Sequence, residues 1–317
     1  MYYSNKKTSR IRKFEKTLDF LIGKAAGSLK DGPLFERECD YVSRDFFEGT
    51  PCFLSSPADN AAWSLGYASA SLTPPDWRTH DYYLGGYMVA DNKFKNKVES
   101  VADDMRARCI AVSDGSGRGV NVFCVIDSIG IANADIRNIR SELKKSLSEK
   151  NNNIVLSSVN VCSTHTHSCI DTEGLWTGGP RKILDNYKRS RHGKTLLNGT
   201  DKHYMEFLTA TVVGIMLSAI ENMTAGKLTL SQMDIGDKYF GNRNRPSASA
   251  VDTRLTRLLF RPSDASTPTI IASIAAHPDC AGLATSNGSG TGREISGDYI
   301  YYCDEFIRRA GYNFIFF

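Results

Sequence analysis

A chain of 317 residues with 41% hydrophobic content and no long polar tract can bury a large core and forms one sizeable domain or two small ones. Its 39 basic and 35 acidic residues leave a formal net charge of +4, too even a balance for nucleic-acid binding by bulk electrostatics. No run of about eighteen consecutive apolar residues occurs, so no segment reads as a transmembrane helix, and the eight cysteines show no CxxC spacing that would indicate a zinc knuckle or a disulfide framework.

Residues 1–62 read as an N-terminal extension that opens on an amphipathic helix. Its basic start resembles a leader, but Lys16, Asp19 and Lys24 break the apolar positions that a signal-peptide core needs, so a cytoplasmic setting is expected. Two basic stretches, Lys6 to Lys16 and Arg181 to Lys194, read as solvated faces that could also meet anionic lipid headgroups, a peripheral membrane contact.

From residue 63 onward the pattern is that of an α/β domain. The stretch Trp63 to Trp77 is strand-like until Thr73-Pro74-Pro75 stops it. Arg108 to Val112 and Val120 to Ile126 are apolar, β-branched runs split by Asp114-Gly-Ser-Gly, which predicts a hairpin that delivers Asp127 at the end of its second strand. Ile136, Ile139, Leu143 and Leu147 recur at helical spacing, with Asn133 or Asp135 as the expected cap. A strand over 153–163, a helix over 203–224 and strands near 228–235, 254–260 and 269–277 follow. A last helix over 296–310 is closed by Gly311. Hairpins and helical crossovers both occur, so the sheet should be mixed and flanked by helices. The final Asn-Phe-Ile-Phe-Phe reads as the start of a buried strand, which predicts that the domain continues past it.

The sharpest chemical feature is Ser163-Thr-His165-Thr-His167-Ser168 at the end of an apolar strand, where a period of two would point both imidazoles to one side. Neutral imidazole suits zinc, although HxH also occurs in ordinary strands with one ring hydrogen-bonded and one exposed. His277 closes a second apolar run just before Pro278 and could supply another ligand. Asp127, at its own strand end, is a candidate for orienting a ligand imidazole or for starting a turn. Arg243 and Arg245 lie between strands, where a guanidinium could bind a carboxylate or an oxyanion, or simply face solvent. His80, His192 and His203 read as surface residues, and Gly288 to Gly292 lacks the Gly-Lys-Ser/Thr of a phosphate loop.

Several of these islands, in this order, resemble the neutral ceramidase family. They are Gly66 to Pro75, Leu84-Gly85-Gly86-Tyr87, Thr164 to Ser168, Asn244-Arg245 with Val251-Asp252, His277-Pro278, Asn287 and Ser296-Gly297-Asp298-Tyr299. The last of them is closest to the shorter bacterial members. The resemblance implies a catalytic domain over 63–317, with His165 and His277 as zinc ligands and His167 meeting the tetrahedral intermediate. Arg245 or Arg243 would bind the oxyanion, and Asp298 and Asp127 would support the site. The remaining Glu and Tyr ligands of the family would lie beyond Phe317. The implied activity is zinc-dependent hydrolysis of an N-acyl amide such as ceramide, with a water activated by the metal. A metal-dependent esterase or a non-catalytic ligand-binding relative would share the same residues. Ser71 stands where the family has Asp, and Cys169-Ile170 where it has Gly-Pro, so the contacts beside the site differ.

Overall fold

The computed structural model describes residues 62–86, 96–150, 154–177, 179–194, 199–241, 251–281 and 293–317, together with Thr17, Phe20, Leu21, Gly23 and Lys24, which are helical. The chain divides into two compact units. The smaller comprises Met1–Ser43 and Gly178–Asn198, and the larger comprises Arg44–Thr177 and Gly199–Phe317. The segment Gly178–Asn198, inside the range 63–317, thus falls in the smaller unit, and of the two basic stretches Lys6 to Lys16 lies outside the described residues.

The larger unit is built on an eight-stranded mixed sheet. Its strands are β1 (Trp63–Ser71), β4 (Arg106–Ser113), β5 (Val120–Ile126), β6 (Leu156–Ser163), β8 (Thr224–Asp234), β9 (Arg254–Pro262), β10 (Thr269–Ser273) and β12 (Asn313–Phe316), in the order β12-β10-β9-β8-β1-β4-β5-β6. Short pairs stand beside it: β2 (Leu84–Gly85) with β7 (Cys169–Ile170), and β3 (Ser100–Val101) with β11 (Glu294–Ile295). The predicted hairpin is present, with β4 and β5 antiparallel and Cys109 opposite Cys124. β5 then pairs parallel with β6, and the intervening helix α1 (Asn133–Glu149) makes the crossover. The expected side-chain cap is missing: Ala132 occupies the cap position with no side-chain hydrogen bond, because α1 begins one residue past it with Asn133 already helical.

The sheet is apolar on both faces, as a covered sheet must be. Ala107, Cys109, Val122, Cys124 and Ile126 alternate toward one face, where they join Ile139 and Leu143 of α1 and Leu208, Val212 and Met216 of α3 (Lys202–Glu221). Leu65, Ile110 and Val125 point the other way and pack with Phe260 of β9 and Ile315 of β12. β1 and β12 stand four places apart, roughly 19 Å along a flat sheet, yet the Tyr67 hydroxyl donates to the Phe314 carbonyl at 3.0 Å. The sheet therefore curls until β12 faces β1. α3 is apolar enough to cross a membrane by length and composition; its Leu208, Val212, Met216 and Ala219 are buried in the core. Gly66 makes the close helix approach feasible, since a Cβ there would lie 2.0 Å from the Ala219 carbonyl oxygen.

In the smaller unit, α2 (Gly179–Arg191) carries Lys188, Arg189 and Arg191 in its last turn, with Arg191 over the Tyr187 ring.

Candidate metal centre

The three histidines singled out by spacing meet in space. Ring centroids of His165 and His167 lie 5.0 Å apart, those of His165 and His277 5.0 Å, and those of His167 and His277 4.7 Å. Each offers a ring nitrogen within 4.8 Å of the others. His165 and His277 are exposed and His167 is half-buried.

They arrive there by a route other than the predicted one. β6 ends at Ser163 and β10 at Ser273, so all three histidines lie beyond the strands, in irregular segments. Alternation along a strand does not align His165 with His167. Instead His165 has φ of 64°, a left-handed conformation that turns the chain between them. The segment is tied down by backbone: Thr164 N–H donates to the Ile126 carbonyl at 3.0 Å, and Ser296 N–H to the Ser168 carbonyl at 2.9 Å. Thr166 and Ser168 are buried. Gly86 backs His167, and a Cβ at that position would lie 2.7 Å from the His167 carbonyl oxygen.

The donor chemistry fits a zinc ion. Nδ1 of His165 lies 2.6 Å from the Ile129 carbonyl, which can only accept. The proton is therefore on Nδ1, and Nε2 of the neutral ring keeps a lone pair for a metal, the arrangement in which a carbonyl behind a ligand imidazole fixes its tautomer.

Of the supporting residues expected from sequence, Asp298 lies against the segment that carries His277, where its carboxylate accepts from the N–H groups of Cys280 and Ala281 at 2.8 and 2.7 Å. Asp127 directly follows β5 and is fully buried, but its hydrogen-bond partners are the Arg108 guanidinium at 3.1 Å and the Arg106 N–H at 2.8 Å, with no imidazole among them. Burial pushes the Asp127 carboxyl above the usual carboxylate range even with the Arg108 guanidinium pulling the other way. Arg243 and Arg245, with Asn244 and Asn287, lie outside the described residues.

Three contributions were not assigned from the sequence. Arg108 sits inside an apolar strand and joins Asp127 to Asp304 of α4 (Asp298–Arg309), with its Nε 2.8 Å from the Asp304 carboxylate. A charge within a hydrophobic run was the signal for it. Asp171, buried, gathers the loop after His167 by accepting from the N–H groups of Glu173, Gly174, Trp176 and Thr177 at 2.8 to 3.0 Å. The Tyr299 hydroxyl donates to the Ala276 carbonyl at 2.7 Å; nothing in the pattern of residues marks that contact.

His80 and His203 form a second histidine group, each on a carboxylate: His80 Nε2 is 2.9 Å from Asp201 and His203 Nε2 is 3.1 Å from Asp76. They clip the turn after β1 to the start of α3.

No protein-family model matches the chain, and no curated protein matches it. Solved structures do. A structure described as ceramidase complexed with C2 superposes with a TM-score of 0.57 at 14% identity, over 81% of this chain and 37% of that one. The neutral ceramidase from Pseudomonas aeruginosa gives the same TM-score and identity over 81% of this chain and 38% of its own. The chain thus spans well under half the length of these structures. At this identity the likeness concerns the fold, and the mixed sheet flanked by helices is a ceramidase-like fold.

Proposed function

We propose that this chain acts as a zinc-dependent hydrolase of N-acyl amide bonds, with ceramide-like lipid amides as the substrate class. The observation that carries the reading is the meeting of His165, His167 and His277 with ligand nitrogens within 4.8 Å, on a ceramidase-like fold. His165 and His277 are assigned as the residues that hold zinc, His165 through the Nε2 left unprotonated by its bond to Ile129. A zinc ion held there would polarise the amide carbonyl and lower the pKa of a water molecule, so no serine nucleophile is required. His167 is assigned as the group that donates to the carbonyl oxygen as it gains negative charge, and Arg245 or Arg243 as a second donor, on the strength of the family resemblance. Asp171 and Gly86 support this by fixing the loop and the backbone on either side of His167.

Elemental analysis of the purified protein and of three variants tests the assignment. His165→Ala and His277→Ala should each lose about one zinc per chain. His167→Ala should keep it while losing hydrolysis of a panel of N-acyl amides that includes a short-chain ceramide. Zinc absent from the parent protein would refute the metal site, and zinc lost from His167→Ala would make that residue a ligand.

A further inference from the structure

We infer that Asp298 and Tyr299, at the start of α4, are positioning residues that set the place of His277; the inference rests on the zinc-site reading. β10 ends four residues before His277, so the hydrogen bonds of the sheet do not reach the imidazole. The start of α4 does. The Tyr299 hydroxyl donates to the carbonyl of Ala276, the residue before His277, at 2.7 Å. One carboxylate oxygen of Asp298 accepts from the N–H groups of Cys280 and Ala281, at 2.8 and 2.7 Å. The arc His277-Pro278-Asp279 is thereby gripped on both sides by two consecutive residues.

Asp298 is built for this and not for capping its own helix. An acidic residue at a helix start ordinarily satisfies the free N–H groups of the first turn. Here one oxygen turns outward to the loop, and only the other accepts from the adjacent Tyr299 N–H at 2.6 Å. Asp298 is 1% exposed and has φ of 58°. Among the described residues it and His165 are the only non-glycine residues with positive φ. Such conformations cost free energy and persist where the surroundings over-determine them, commonly at functional sites. Those surroundings are visible. The Ser296 hydroxyl accepts from the Asp298 N–H at 3.0 Å and donates to Asp103 at 2.7 Å, and the Gly297 N–H donates to Asp103 at 2.7 Å. Further along α4, Asp304 pairs with Arg108 of β4. The frame that holds His277 thus runs from the central sheet, through α4, to the loop.

The test uses the full chain and zinc alone. Asp298→Asn and Tyr299→Phe are titrated with zinc against a chromophoric chelator, and both should bind about 10- to 100-fold more weakly than the parent, the usual effect of removing a group that orients a ligand. The visible absorption of cobalt-loaded protein should shift in both, and exchange of the Cys280 and Ala281 amide protons should quicken in Asp298→Asn. Leu143→Ala, a core truncation away from the site, should lower the melting temperature and leave zinc affinity unchanged, which separates positioning from general loss of stability. Should Asp298→Asn fail to fold, Tyr299→Phe decides alone, since only a hydroxyl is removed and the ring keeps its edge contact with Phe316. Parent-like zinc affinity and cobalt spectrum in the variants would overturn the positioning role and leave the metal site standing. A parent protein that binds no zinc would overturn the site and the positioning with it.

Discussion

Replacing Arg108 by Met is the most informative perturbation of the frame behind the site. The guanidinium is 1% exposed and holds two carboxylates that are fully buried, Asp127 at 3.1 Å and Asp304 at 2.8 Å. Burial would favour loss of its proton, but the two carboxylates outweigh that and keep it charged. Methionine approximates the volume and removes the charge, so the change leaves Asp127 in the core without its counter-ion and Asp304 with only the more distant Arg106 guanidinium, at 3.7 Å. Breaking a buried pair by removing one partner costs about 3–5 kcal/mol. At roughly 2–4 °C per kcal/mol for a domain of this class, the melting temperature should fall by about 6–20 °C at pH 7. The deficit should also depend on pH, with a sign set by Asp127. Its folded-state pKa is already raised by burial, and loss of Arg108 raises it further. A raised carboxylate pKa penalises the fold in full above the folded value, and the penalty fades as pH falls through that value toward the unfolded one of about 3.9. Urea titrations at pH 7 and pH 5 should therefore show a smaller gap between variant and parent at pH 5. A loss below about 1 kcal/mol, or one identical at both pH values, would refute the assignment of this triad as the electrostatic tie between β4, β5 and α4.

Three further outcomes are expected. Gly66→Ala places a methyl group 2.0 Å from the Ala219 carbonyl and 2.7 Å from the Met223 nitrogen, both backbone atoms, so α3 must shift on the sheet; denaturant titration should show a loss of about 3 kcal/mol or more. The hydrogen bond that His80 donates to the Asp201 carboxylate raises the pKa of His80, so the stability from that contact is fully present below about pH 6.5 and disappears as pH rises through the raised value. In Asp201→Asn, which keeps a side-chain acceptor for the Tyr204 N–H, melting temperatures across pH 5.5 to 8.5 should lose that component. Zinc at a hundred times its dissociation constant should stabilise the parent by about 2.7 kcal/mol; a chelator should reverse this, and neither treatment should affect His165→Ala.

The local elements were legible because their signals are local. Alternating apolar residues on either side of Asp114-Gly-Ser-Gly make the β4–β5 hairpin, the spacing of Ile139, Leu143 and Leu147 makes α1, and Gly311, with φ of 86°, ends α4 where a left-handed residue is needed. The mixed sheet followed from the alternation of hairpin and crossover. The cap of α1 was misplaced because a helix start depends on where the preceding loop releases the chain, not only on which residue could cap it.

The site was legible in its residue types and not in its geometry. His165, His167 and His277 were identified by their neighbours in sequence, but alternation along a strand was the wrong reason for the first two to be adjacent, and the third is not held by a strand. A left-handed turn at His165 brings the pair together, and α4, from further along the chain, fixes the loop of His277. Arg108 and Asp304 find each other across 196 residues, a separation that carries no periodic signal. Composition and spacing by themselves determined which segments are strands and helices and which side chains can ligate a metal, since both depend on near neighbours. Only the tertiary structure decided which of those side chains meet, because convergence depends on how a curled sheet and its helices close around residues that the chain keeps far apart.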